Sequence, residues 1–134
     1  MKLLLDTHIF LWSLSNSRKL SAEMKKLIED DNNELWLSPI STWEVLMLIE
    51  KGRVQIAHKQ PAKWMREVLQ SLPIKTAPLN HEVAIKSRQI KLPHGDPADR
   101  FIVATAIVYS LVLLTVDEKI VANDHLNLCY QLKK

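Results

Sequence analysis

Short apolar runs alternate with helical segments along this chain, and that alternation constrains its fold more than any other feature. Residues 2–5 form an apolar run closed by Asp6, which reads as a buried strand. A short helical stretch follows over residues 9–14. Ser21 is a good N-cap for a helix carrying Met24, Leu27 and Ile28 on one face. Residues 34–37 read as a second strand. Ser38-Pro39 then supplies an N-cap and a first-turn proline for a helix running to about Gly52. Pro61 opens another helix, with Trp64, Val68, Leu69 and Leu72 at helical spacing. Residues 74–77 are a weak third strand, and Asn80 caps a helix through Ile90. Asp96-Pro97 opens the most apolar helix, whose body is residues 101–109. Residues 111–115 make a strong fourth strand and residues 126–130 a fifth. Strands alternating with helices imply a parallel sheet covered on both faces. The helix from Pro97 is apolar nearly all round, which suits a central place in such a sandwich.

Composition narrows the class further. With 134 residues, the chain fits one domain over residues 1–134 and can bury a real core. Its 47% hydrophobic and 25% charged residues argue against disorder, collagen-like repeats and a coiled coil. The single cysteine, Cys129, can form neither an internal disulfide nor a Cys-rich zinc site, so a reducing cytoplasm is the expected location. Two glycines, Gly52 and Gly95, leave no glycine loop to cradle phosphates, against a nucleotide-triphosphate or dinucleotide enzyme. Asp6 and His8 interrupt the opening apolar run too early for a signal peptide. The longest uncharged run, residues 101–116, falls short of the roughly 20 apolar residues of a spanning helix, so no membrane is expected. A net charge of +3 and a pI near 9.0 permit a nucleic-acid partner without implying one.

Four carboxylates stand at places that topology would bring together. Asp6 ends the first strand and Asp117 the fourth. Glu44 lies early in the helix from Ser38, and Asp99 lies in the first turn of the helix from Pro97. Right-handed crossovers make each helix begin near the carboxyl edge of the sheet, where the strands also end. Ligands of open α/β sheets bind at that edge. Clustered carboxylates repel, so some are protonated or a cation neutralises them. Oxygen ligands suit a hard divalent ion, Mg²⁺ or Mn²⁺. The chemistry this suggests is metal-assisted phosphodiester hydrolysis.

Each of these residues also has a plainer reading. Asp96 reads as the N-cap of its helix, and Asp99 could complement the helix dipole. Ser41 and Glu44 could form a capping box; if Ser38 caps instead, Glu44 is left for a site. Asp6 and Asp117 could be turn residues after strands. The five histidines show no paired metal-ligand spacing, and only His8 stands close to a candidate acid. Arg100 could bind a phosphate, or equally make a structural ion pair. Cys129 reads as core, and Trp12 and Trp43 as interface residues.

Four motifs occur in order: Leu3-Leu4-Leu5-Asp6-Thr7-His8, Ser38-Pro39-Ile40-Ser41-Thr42-Trp43-Glu44, His94-Gly95-Asp96-Pro97-Ala98-Asp99-Arg100 and Leu113-Leu114-Thr115-Val116-Asp117. Taken together they make the chain resemble the PIN-domain ribonucleases, and within them the VapC-like toxins of bacterial type II toxin–antitoxin pairs. The resemblance covers essentially the whole chain. It implies a three-layer α/β/α fold with a parallel sheet in 3-2-1-4-5 order. It also implies a metal-dependent endoribonuclease that uses Mg²⁺ or Mn²⁺ to cleave RNA. The partners it implies are a cognate antitoxin and a second copy of the chain in a homodimer. The family's acidic quartet maps to Asp6, Glu44, Asp99 and Asp117, and Asp96 matches an extra acid of the Asp-Pro-x-Asp-Arg subgroup. Asp6 and Asp99 are then the principal metal ligands and Asp117 supports the metal. Glu44 ligates it or helps deprotonate water, and Thr7 positions water or a carboxylate. Where relatives often carry a lysine four residues after the glutamate, this chain has Leu48. Two other readings stay open: a catalytically silent PIN-like module that binds an antitoxin or RNA, and a receiver-like phosphoacceptor domain. The second lacks the acidic pair and late lysine it would need.

Overall fold

The computed structural model describes residues 1–92, 96–124 and 128–130. The elements run β1 (Lys2–Leu5), α1 (Thr7–Ser15), α2 (Ala22–Glu29), β2 (Glu34–Leu37), α3 (Pro39–Glu50), α4 (Pro61–Ser71), β3 (Ile74–Thr76), α5 (His81–Gln89), α6 (Pro97–Tyr109), β4 (Val112–Leu114) and α7 (Glu118–Ala122). Local chemistry sets most of the boundaries. Ser21, Ser38, Asn80 and Asp96 each accept a backbone N–H of their own helix, and proline occupies the first turn of α3, α4 and α6. Ser110 stops α6 by adopting a left-handed conformation, φ +55°. That turn lets the Leu111 amide donate back to Ala106, 2.9 Å, and sends the chain into β4.

The four strands pair in parallel in the order β3-β2-β1-β4. Leu3 stands opposite Leu35 on one side and Val112 on the other; Leu4 stands opposite Trp36 and Leu113. Side chains alternate across a strand, so the sheet builds a core on each face. Leu3, Leu5, Leu37 and Leu114 pack with Ile9, Phe10, Met24, Val45 and Met65 under α1 to α4. Leu4 and Leu113 pack on the other face with Ile102, Val103 and Ala106 of α6 and with Ile120 of α7. Helices thus cover both faces, in three layers. Among the described residues, no helix is long and apolar enough to cross a membrane. The uncharged run of residues 101–116 is divided between α6 and β4.

The last part of the chain carries one expected element and one unannounced element. The expected fifth strand lies partly outside the described residues. Within them it is a single parallel bridge between Cys129 and Leu113. The Leu113 amide donates to Leu128 O, 2.8 Å, and Tyr130 N donates to Leu113 O, 2.9 Å, while the Asp124 carboxylate accepts the amides of Leu128, 2.7 Å, and Cys129, 2.8 Å. Nothing in the periodicity announced α7, a five-residue helix beyond β4.

Candidate active site

Asp6 sits where β1 becomes α1, and it belongs to both. Its amide continues the sheet by donating to Leu114 O, 3.0 Å. Its carboxylate caps α1, Oδ1 accepting from Thr7 N at 2.8 Å. Its other oxygen accepts from Thr115 Oγ1 at 2.6 Å. The side chain is buried, and burial pushes its carboxyl above the ordinary range. The hydrogen bonds from Thr115 and Thr7 and the charge of His8 oppose that rise, and Asp117 adds to it.

Thr115, which the sequence reading placed in the fourth motif without a role, joins two of the expected site residues. Besides donating to Asp6, its hydroxyl accepts from Asp117 N at 3.0 Å. Asp117 lies three residues past β4 and caps α7, Oδ1 accepting from Lys119 N at 2.9 Å and Ile120 N at 3.3 Å. Its strand-end position is therefore also a helix start. A threonine two residues before an aspartate, at the end of an apolar run, is the sequence signal that could have revealed this turn.

The capping alternatives for α3 are settled by geometry. Ser38 Oγ accepts from Ile40 N at 3.1 Å, so Ser38 is the cap and Glu44 falls in the second turn. Ser41 is fully buried and accepts from Thr7 Oγ1 at 3.0 Å, which fastens α3 to α1. The Thr7 hydroxyl also lies within reach of the Glu44 carboxylate. Burial is the main cause raising the Glu44 carboxyl above its usual range. Thr7 and His8 counter it, and the charges of Asp6 and Asp96 add to it. Glu44 thus feels acids from two other segments. Leu48, four residues after Glu44, is buried on the same helix.

α6 brings the remaining acids. Asp96 caps it, Oδ1 accepting from Ala98 N at 3.0 Å. Asp99, in the first turn, is mostly buried. Asp96, Asp99 and Asp117 line an open cleft of about 510 Å³, together with Glu118 and Lys119. Arg100 turns away from the acids. Its guanidinium donates to the carbonyls of Ser87 (3.0 Å), Ile90 (3.1 Å) and Leu92 (3.2 Å), clamping the end of α5 to the start of α6. His94 and Gly95 of the third motif lie outside the described residues. Cys129 is buried, and burial followed by the nearby Asp124 pushes its thiol up to about 12, so it is no nucleophile near neutral pH.

Five acids from four separate segments therefore reach the carboxyl edge of the sheet, linked through Asp6 and Asp117 on one side and Glu44 and Asp96 on the other. Among the described residues, no three acidic, histidine or cysteine side chains are close enough together to hold a metal ion in this conformation. The donor set still fits a hard cation. It is entirely oxygen, and two of its members, Asp6 and Glu44, are carboxylates whose charge burial disfavours. Capping engages only one oxygen each of Asp96 and Asp117, and a carboxylate has two.

The PIN-domain family model matches residues 3–126. Ribonuclease VapC22 of Mycobacterium tuberculosis is 32% identical over 125 residues, covering 91% of this chain and 92% of that protein. Among solved structures, VapBC2 from Rickettsia felis bound to a promoter DNA fragment is similar with a TM-score of 0.67 at 17% identity, covering 92% of this chain and 94% of that one. A toxin–antitoxin complex from Klebsiella pneumoniae gives 0.62 at 20% identity, covering 96% of each chain. FitAcB from Neisseria gonorrhoeae gives 0.61 at 24% identity, over 91% of this chain and 93% of that one. The chain belongs to the PIN-domain family and is a VapC-like member of it.

Proposed function

We propose that this PIN-domain chain is a metal-dependent endoribonuclease, the toxin of a toxin–antitoxin pair, working as a single domain in the cytoplasm. The observation that carries the reading is the gathering of Asp6, Glu44, Asp96, Asp99 and Asp117 at one sheet edge from distant parts of the sequence. The 32% identity to a ribonuclease across nearly the whole chain supports the same chemistry. Similar solved structures, VapBC2 from Rickettsia felis bound to promoter DNA and a toxin–antitoxin complex from Klebsiella pneumoniae, support a cognate antitoxin as partner. A homodimer is proposed with it, and the exposed Trp43 is a candidate contact.

In this proposal Asp6 and Asp99 hold Mg²⁺ or Mn²⁺, with Asp117 in support. When bound, the ion supplies charge neutralisation and Lewis acidity toward the phosphodiester. Glu44 takes a proton from the attacking water, a task its raised carboxyl suits. Thr7 orients Glu44, and Ser41 holds Thr7. Thr115 sets the spacing of Asp6 and Asp117. Arg100 positions the start of α6, and with it Asp96 and Asp99, without touching substrate.

The test is RNA cleavage by purified, antitoxin-free protein in Mg²⁺, Mn²⁺ or EDTA, with Asp99→Asn beside the wild type. Cleavage should require the metal and fall by about a thousandfold or more in the variant, as expected when several kcal/mol of transition-state stabilisation are lost. The far-UV spectrum should be unchanged. Wild-type cleavage by Asp99→Asn would remove the assignment. A folded protein that binds RNA or antitoxin but never cleaves would favour the silent binding module.

A further inference from the structure

We propose that the outward side of α1 is the path by which single-stranded RNA leaves the acidic edge, with Trp12 as a base-stacking platform between His8 and Lys19. The proposal rests on the nuclease reading and adds a route for the strand.

Three observations place these side chains in one ribbon. His8 and Trp12 are one helical turn apart on α1, with ring centroids 6.0 Å apart and planes tilted by 56°. The Lys19 ammonium stands 5.9 Å from the centroid of the Trp12 ring. His8 and Lys19 are exposed and Trp12 is half-buried, so the ribbon is open to solvent along its length. Its inner end is anchored at the site, because His8 lies in the first turn of α1, the helix that Asp6 caps. Its outer end is cationic. Exposed Arg18 adjoins Lys19 in sequence, and Lys25 donates to Asn16 at the end of α1 at 2.7 Å.

This order of groups suits a nucleic-acid strand. The acidic edge repels phosphates wherever no cation neutralises it, so flanking nucleotides need favourable contacts outside it. Aromatic faces stack bases of any sequence, and cations beside them attract the backbone. A ribbon of His, Trp and Lys offers both, beginning where the scissile phosphate must lie. An apolar partner helix would instead need a continuous apolar stripe, and here charged residues stand at both ends.

Fluorescence anisotropy with a labelled single-stranded RNA of about a dozen nucleotides tests the path. The full-length chain carries Asp99→Asn so that the probe survives. Adding Trp12→Ala should weaken binding roughly tenfold, and Trp12→Phe should restore most of it, as expected for loss and return of one stacked base. Lys19→Ala should weaken binding about threefold and lower the salt slope by about one. Trp12 also packs against the core, so Lys19→Ala, at an exposed position, tests the ribbon should Trp12→Ala fail to fold. In the cleaving enzyme, the loss in kcat/KM from Trp12→Phe or Lys19→Ala should fall chiefly on KM. Unchanged RNA affinity in both Trp12→Ala and Lys19→Ala, with a wild type that cleaves, would overturn the path and leave the nuclease standing. The same variants losing only a protein partner would assign this face to that partner and also overturn it. A parent chain that neither binds nor cleaves RNA would remove both proposals together.

Discussion

The acidic edge has two halves, built by different means. Around Asp6 the polar groups are buried and mutually satisfied: Thr7 N and Thr115 Oγ1 donate to one carboxylate, Thr115 accepts Asp117 N, and Thr7 reaches Ser41. Around Asp96 and Asp117 the acids stand at helix starts beside an open cleft, each holding amides of its own helix. In the first half, folding and charge placement are one event, because β1, β4, α1 and α3 must meet before the network exists. In the second, the caps are local, Asp96 and Asp117 each holding an amide of the helix that follows. The buried half should therefore resist change through stability, and the rim half through function.

The sharpest way to break this comparison is a pair of alanine variants. Asp6→Ala removes a cap worth about 1 kcal/mol. It also leaves the buried Thr115 hydroxyl without its acceptor, at about 1–3 kcal/mol. Relief of a carboxylate that burial disfavours offsets part of this, for a net loss of about 2–3 kcal/mol. Asp96→Ala should cost only its cap, about 1 kcal/mol. Urea unfolding compares them, and equal losses would erase the distinction between the halves.

Arg100 tests how the rim is held. Arg100→Lys keeps the charge but cannot present three donors in a planar fork to Ser87, Ile90 and Leu92. A loss of about 1–2 kcal/mol is expected, with faster amide exchange at the end of α5 and little change near Asp6. Exchange that quickens equally around Asp6 would mean the halves are not separately supported.

The smallest effect concerns Glu44, where the halves meet. Its carboxyl is raised in the folded chain above the ordinary 4.5. The folded state therefore holds that proton more tightly than the unfolded state. The resulting stabilisation is complete at low pH and is lost as pH rises through the raised range. Without a divalent ion, Glu44→Gln should raise the melting temperature by about 1–2 °C at neutral pH, and by nothing well below pH 4.5. With Mg²⁺ or Mn²⁺, the wild type should gain more stability than the variant. A variant that melts lower than wild type at neutral pH without metal would show that the Thr7 contact outweighs the burial of the charge.

Much of the architecture was legible in local chemistry. Ser21, Ser38, Asn80 and Asp96 announce their helices because a cap acts within three residues. Pro39, Pro61 and Pro97 do the same because a fixed φ and a missing N–H suit a first turn. The strand runs Lys2–Leu5 and Glu34–Leu37 were readable because a buried parallel strand is apolar on both faces. The convergence of the acids followed from topology alone, without knowledge of any contact.

What the sequence by itself determined, then, is which segments become helix or strand and which acids arrive at the carboxyl edge. Only the tertiary structure decided how those acids are held. The Asp6–Thr115 hydrogen bond spans 109 positions and exists only because β1 and β4 lie side by side. Arg100 could have served a phosphate or a carboxylate until α5 packed against α6 and offered three carbonyls. Leu128 and Tyr130 exchange backbone hydrogen bonds with Leu113 only because this segment comes to lie beside β4. Caps and periodicities act between neighbours along the chain. These contacts form between segments that meet only after folding, so no local pattern encodes them.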